Sequence, residues 1–514
     1  MTAHAAIPAS HLGKAPSEKF AEQERLDAEL LHDTTLPTNN WLGMVRHFGP
    51  GIVLMMTGLG TSHIITAPVA GGRFEFALLW CVPVAYIFKY YGFEMAFRFT
   101  HATGRSILDA YATSWRKWTL WYVLAVTLLQ CAVGQAGRLV AAAAVVYYLF
   151  SEVWGWPVPL TGWALLLGVL SVWGVLRGQY LFVERATKVM AGALMASTFG
   201  IYFFRPAPLS ALGEAFVIST PPGSWLIICA FLGLLPTGVD VSLQASEWGK
   251  AKRAGTGRLR AQLEALGLAP IFNSFAPRKS DLSLDMGGLP PKTREYCRRW
   301  FRIGMWDFAL GHFVSMLIAV VFLVLAAEWL YPSTITGMAV VGEIAGIFTR
   351  SVGPGAMALF LVGAFGALFA TAFGYFDGWP RVVGACARNL FRPTAQLSGI
   401  DKDELTPEHR RHWYSEYNIY RATMFYSLIA AVLIISGVPE PVSLVLIASA
   451  LAFFIAPIIY FLNLYYCVTI IPKRDSFYPS APVRWFSWLS LVIFSVMTAI
   501  AILGEFFNVA LFGA

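Results

Sequence analysis

The sequence predicts an all-α polytopic membrane protein of about eleven transmembrane helices, built as an inverted repeat whose first and sixth helices are broken. Three observations predict it. Hydrophobic residues make up 57% of the 514-residue chain and charged residues only 13%, too few to cover a soluble surface. The apolar residues fall in runs of roughly 20 or more, long enough to span a bilayer. These runs do not alternate as barrel strands do, so each must be helical to pair its backbone in lipid. Two of them, five spans apart, are interrupted by Gly, Pro and polar residues.

In chain order, residues 1–47 form a cytoplasmic N-terminal tail. Its charges are mixed (Lys19, Glu22, Glu24, Arg25, Asp27, Glu29), and it reads as a disordered leader or a short surface helix. Residues 1–40 hold no apolar stretch of the kind a signal peptide needs, so none is expected. Candidate spans follow at 48–69, 75–98, 117–150, 160–176, 179–204, 214–246, 301–330, 354–385, 416–438, 440–471 and 484–511. Residues 48–471 make a ten-helix core with inverted halves at about 48–204 and 214–471, and 484–511 is an additional eleventh helix.

The loops set the orientation. Basic residues gather after the second, fourth, sixth, eighth and tenth spans: Arg98, Arg105, Arg116 and Lys117; Arg177; the segment 249–302; Arg381, Arg388, Arg392, Arg410 and Arg411; Lys473 and Arg474. The segment 249–302 alone carries twelve Lys/Arg against four Asp/Glu. By the positive-inside rule these loops and the N-terminus are cytoplasmic, and eleven crossings put the C-terminus outside the plasma (inner) membrane. The net charge of +8 therefore points to anionic lipid and not to nucleic acid. Six cysteines, none in a CxxC pair, suggest neither a disulfide framework nor a zinc site.

The breaks carry the functional signal. The first span contains Thr57-Gly58-Leu59-Gly60-Thr61-Ser62-His63, and the sixth contains Gly233-Leu234-Leu235-Pro236-Thr237-Gly238-Val239-Asp240. Gly and Pro weaken the helix there and free backbone groups for a ligand. An odd separation of five spans makes the halves run in opposite senses, the arrangement in which paired broken helices form a midplane site. The chain has no Walker A, G-x-S-x-G or HExxH motif, so the chemistry of an ATP-driven pump or a membrane hydrolase is missing and no enzyme is expected.

Gly49-Pro50-Gly51, Ala70-Gly71, Leu78-Leu79-Trp80 and Ala102-Thr103-Gly104-Arg105 together resemble the first two helices of the NRAMP family of divalent-metal transporters. The resemblance implies a LeuT-type fold and a solute coupled to an ion, often H⁺. The family's Asp-Pro-Gly-Asn motif of the first helix falls on Gly60-Thr61-Ser62-His63, and its Met-Pro-His of the sixth on Thr237-Gly238-Val239, followed by Asp240. Both characteristic metal ligands are thus replaced. The acidic residues the family keeps in its third helix give way to Gln130, Gln135 and Arg138.

The expected substrate-binding set is Gly60, Thr61, Ser62, His63, Thr237, Gly238 and Asp240. His63 and Asp240 are the candidate proton carriers, because imidazole titrates near physiological pH and an intramembrane carboxylate demands a partner or water. If a metal binds, those two residues are its ligands. Thr371, with first-helix carbonyls, is the candidate for Na⁺ coupling. His63 as a neutral, hydrogen-bonded core residue, and Asp240 as a partner for Arg138, are the structural alternatives. The expected function is secondary active transport of a small polar solute by alternating access, coupled to H⁺ or Na⁺ and without a cofactor. A divalent-cation transporter with an altered metal site, and a non-transporting membrane sensor, are the rival readings.

Overall fold

A computed structural model describes residues 16–32, 34, 36, 37, 40–48, 60–204, 212–333, 341–346, 354–401 and 404–507. All secondary structure among them is helical. Seven described helical stretches are long and apolar enough by themselves to cross a bilayer. The second predicted span, α3 (Cys81–Thr103; α2 is given below), is long enough at 23 residues, yet carries Lys89, Glu94 and Arg98. It tolerates them because it lies inside the bundle, where 16 of its residues are buried.

The tail is not a disordered leader throughout. Pro16–Leu31 forms helix α1. Asp27 docks it by accepting from the backbone N–H groups of Lys292 (3.0 Å) and Thr293 (2.8 Å) and from the Thr293 hydroxyl (2.6 Å). Those N–H groups are the orphan donors at the start of α10, Pro291–Leu330, so a carboxylate from a distant segment caps the seventh span. Residues 49–59, which open the first span, lie outside the described residues. From Ser62 the chain runs through a wide π turn, Ser62–Thr66, into α2, Ala67–Phe74.

The third span is one long helix with two wide turns. α5 (Trp118–Leu129) passes through a π turn at Gln130–Gly134 into α6 (Gln135–Tyr147), with a second π turn at Tyr148–Val153. Between α3 and α5 lies the short α4, Ile107–Tyr111, with a Ser106–Asp109 capping box.

The turn predicted between the fourth and fifth spans does not form. Leu160–Phe204 is a single 45-residue helix, α7. Its interior has no proline, and the glycine at 178, where the turn is expected, costs about 1 kcal/mol without ending a helix. Such a helix is about 68 Å long, twice what the hydrocarbon core needs.

The sixth span breaks as predicted. α8 (Trp225–Leu234) stops at Leu235, and α9 (Val241–Ala251) starts after Asp240. The sixth span thus covers 225–251, displaced toward the C-terminus from the predicted 214–246. α11 (Pro354–Leu390) holds Pro380 inside it, and α12 (Glu416–Gly437), α13 (Pro441–Ile470) and α14 (Ala481–Phe507) match the last three predicted spans closely. α2 packs on α10, α8 on α13, and α11 on α6, α9 and α12. The described part of the first span and the broken sixth therefore sit among the second, third, seventh, eighth and tenth. All six cysteines are free and buried.

Charged groups tie the basic side of the bundle together. Arg388 of α11 contacts Glu416 (2.5 Å), Glu247 (3.4 Å) and Asp109 (3.5 Å), and Lys250 also reaches Asp109 (3.4 Å). Burial alone would raise the Asp109 carboxyl. Lys250, Arg388 and Arg105, with a hydrogen bond from Asn389, hold it well below the usual carboxylate range.

Candidate functional site

Three polar groups lie on the first, sixth and third spans. The first surrounds His63, fully buried in the π turn of the first span. Its Nδ1 lies 2.9 Å from Ser62 Oγ; its Nε2 lies 2.8 Å from the Tyr86 hydroxyl, 3.1 Å from Ser315 Oγ and 3.2 Å from the Ser315 carbonyl oxygen. Tyr86 and Ser315 are themselves hydrogen-bonded at 2.6 Å. The imidazole thus joins the first span to the second and the seventh. His312, one turn before Ser315, is also buried, with Nε2 2.9 Å from the Tyr86 carbonyl oxygen.

The second group is the break of the sixth span. Lys89 of α3 is completely buried, and its ammonium donates to the carbonyl oxygens of Gly233, Leu235 and Thr237, each at 2.7 Å. The Thr237 hydroxyl pairs with the Tyr375 hydroxyl at 2.7 Å. Asp240 ends the break. Its Oδ2 accepts from Trp379 Nε1 at 3.3 Å, while Oδ1 is buried with no hydrogen-bond partner. A Cβ on Gly238 would run into that same oxygen, so Gly238 leaves the carboxylate its room.

The third group lies on the third span. The Arg138 guanidinium donates to the Gly134 carbonyl at 2.8 Å and stacks over Tyr375 (3.9 Å to the ring centre) and Trp379 (4.8 Å). A Cβ on Gly134 would meet Gln130 Oε1, Arg138 Nη1 and Trp379 at once, so these three converge on one bare strip of backbone. Both amide atoms of Gln130, both of Gln244 and the Gln135 oxygen are buried without partners. The π turn at Gln130 opens the helix wall where these groups face inward, a frequent feature of functional sites.

Of the predicted set, Gly60 abuts Thr371, Thr237 meets Tyr375, and Asp240 meets Trp379. Thr61 is buried just ahead of the π turn, and Ser62 orients His63. His63 itself belongs to a different cluster from Asp240. The Thr371 hydroxyl donates to Ala367 O at 2.8 Å within its own helix. Of the first-helix carbonyls that would complete a sodium site, those of residues 49–59 lie outside the described residues.

Lys89, Tyr86, Ser315, Tyr375 and Trp379 were not expected in the site. Of these, Lys89 is the one whose residue type stands out in the sequence, an ammonium within an apolar run. Glu94 and Arg98 pair at 2.5 Å, and Asn463 bonds Tyr111, Gly92 and Ser242 as an interhelical tie. Asp377 of α11 accepts from Arg381, Trp248 and Tyr420.

The chain matches the family described as natural resistance-associated macrophage protein-like over residues 51–504. An uncharacterised protein of Pasteurella multocida is 23% identical over 353 residues, 67% of this chain and 71% of that one. Among solved structures, a variant of the Eremococcus coleocola manganese transporter superposes with a TM-score of 0.58 at 13% identity, covering 93% of this chain and 92% of that one. The closed, bromovinylhydantoin-bound form of Mhp1, a nucleobase-cation-symport-1 family transporter, gives 0.50 at 13% identity, covering 89% and 87%. These likenesses show the fold, a LeuT-type bundle.

Proposed function

Since the chain belongs to the natural resistance-associated macrophage protein-like family and is a secondary transporter, we propose that its cargo is a small polar solute and not a divalent metal. One observation carries this reading. Around the sixth-span break two fixed cations, Lys89 and Arg138, stand against one carboxylate, Asp240. A divalent cation needs the opposite balance, usually with imidazole or thioether beside the carboxylates. No group of three His, Cys, Asp or Glu capable of holding a metal occurs among the described residues, and residues 49–59 contain none of the four types. The unpartnered amides of Gln130 and Gln244 and the free Asp240 oxygen offer donors and acceptors to an organic polar group instead.

Its cycle reads as alternating access driven by an ion gradient, with H⁺ favoured over Na⁺ because His63 and Asp240 are ionisable groups on the first and sixth spans. The same reading favours the plasma (inner) membrane with a cytoplasmic N-terminus, from its basic loops, and an outside C-terminus if the continuous helix α7 accounts for two crossings. Single-cysteine accessibility on either side of Arg177 tests the crossing number on which that C-terminal side depends. Uptake by purified protein in liposomes tests the function itself. Solutes chosen by a thermal-shift screen of metals and small organic compounds together should accumulate when an H⁺ gradient is imposed. Saturable binding without any uptake favours the sensor reading.

A further inference from the structure

Breaking a helix in the membrane exposes carbonyls that water cannot reach. In ion-coupled carriers of broken-helix design such carbonyls, at half-helix C-termini and in unwound segments, coordinate a free cation. Here three of them already surround a positive charge. Gly233 belongs to the last turn of α8, and Leu235 and Thr237 to the unwound stretch after it, so the ammonium of Lys89 sits at the negative end of a half-helix. Three bonds of 2.7 Å use all three ammonium donors. They are charge-assisted and short, and the side chain has no exposed surface. The Phe93 ring covers the ammonium at 5.9 Å.

We propose that Lys89 is a tethered cation. Its ammonium fills the carbonyl cradle of the sixth-span break, does there what a bound monovalent cation would do, and leaves that cradle closed to free ions. It is a positioning residue, acting through the backbone of residues 233–237 on Thr237 and Asp240. The coupling ion then has to act elsewhere in the site. The inference builds on the transporter reading, but its main test needs no transport.

Lys89→Ala empties the cradle and leaves space for a small cation. Thermal unfolding of the purified variant in choline chloride should begin several degrees below wild type. Methylammonium chloride should restore the midpoint saturably, with tetramethylammonium, too large for the space, doing nothing. Wild type should not respond to methylammonium. Lys89→Ala melting like wild type, or methylammonium moving both proteins alike, would overturn the proposal. If the alanine variant does not fold, Lys89→Met keeps the stem and removes only the charge. Its amides in residues 233–240 should then exchange hydrogen at least about tenfold faster than in wild type, with α12 unchanged. Equal exchange in the break would overturn the proposal as well. Failure of wild type to move any solute in liposomes counts against the proposed function and leaves the melting result standing.

Discussion

The Thr371 hydroxyl packs so close to Gly60 that a Cβ there would clash with it. The eighth span thereby closes on the first at the position that aligns with a family metal ligand, and a side chain at 60 fits only if Thr371 shifts.

Gly60→Ala should therefore be disruptive. Overpacking of this kind costs about 1–3 kcal/mol, and here the strain falls on the site. Solute uptake in liposomes should drop about tenfold or more, since a 1.4 kcal/mol change in a barrier is tenfold in rate. Adding Thr371→Ala removes the clashing hydroxyl and methyl and should recover part of the loss. A single variant with wild-type uptake would mean that the two helices do not meet this closely.

Mn²⁺ uptake should be weak or absent. Restoring the family carboxylate with Gly60→Asp should not create it, because the new side chain fits only if Thr371 shifts. Radiotracer uptake at micromolar Mn²⁺ checks both statements. Saturable wild-type transport that His63→Ala abolishes would reverse the assignment of the cargo.

Coupling should pass through His63 or Asp240. Asp240→Asn and His63→Gln preserve shape and hydrogen-bonding capacity but remove titration. One of them should bind solute yet lose its response to an imposed pH gradient. With H⁺ and Na⁺ gradients set independently, sodium-driven uptake damaged chiefly by Thr371→Ala would point to the rival ion. Both variants keeping the wild-type pH response would remove these residues from the proton path.

Much of this was legible in the sequence, and the omissions have a pattern. Gly233–Asp240 announced its break through local chemistry, Gly and Pro beside an acid. The Glu94–Arg98 pair followed from one-turn spacing alone. Lys89 was readable as a buried charge but not as a cradle occupant, because its acceptors lie 144–148 residues away. Gln130 looked like an ordinary substitution until the π turn aimed it inward. The turn expected near Arg177 does not form, because neither a single charge nor a glycine stops a helix. Asp27 gave no sign of its role, since a cap on α10 supplied from the tail leaves no local motif.

Asp27→Ala tests that cap. Losing an N-cap carboxylate costs about 0.5–2 kcal/mol, and here the loss should appear as release of α1. Limited proteolysis should cut the tail within residues 16–31 faster in the variant, while the span fragments stay intact. Identical cleavage rates would show that Asp27 does not hold the helix.

Asp475, in the loop between α13 and α14, has its carboxyl pushed up to about 6 by burial and then by Asp285 nearby. Its folded-state value lies above the unfolded one, so the stability it contributes is complete below about pH 4. That contribution disappears as pH rises through 6. Near neutrality the charged form is a liability. Asp475→Asn should accordingly raise the unfolding midpoint more at pH 7.5 than at pH 5. An equal shift at both values would remove this group from the pH response.

All six thiols are enclosed by the bundle. Wild type should then be almost silent toward membrane-impermeant maleimides, and a single cysteine introduced at any surface position would report on a clean background. A spin or fluorescent label on α1 and another on the far end of α14 could follow the opening and closing of the bundle in real time, with no native sulfur first removed from the core.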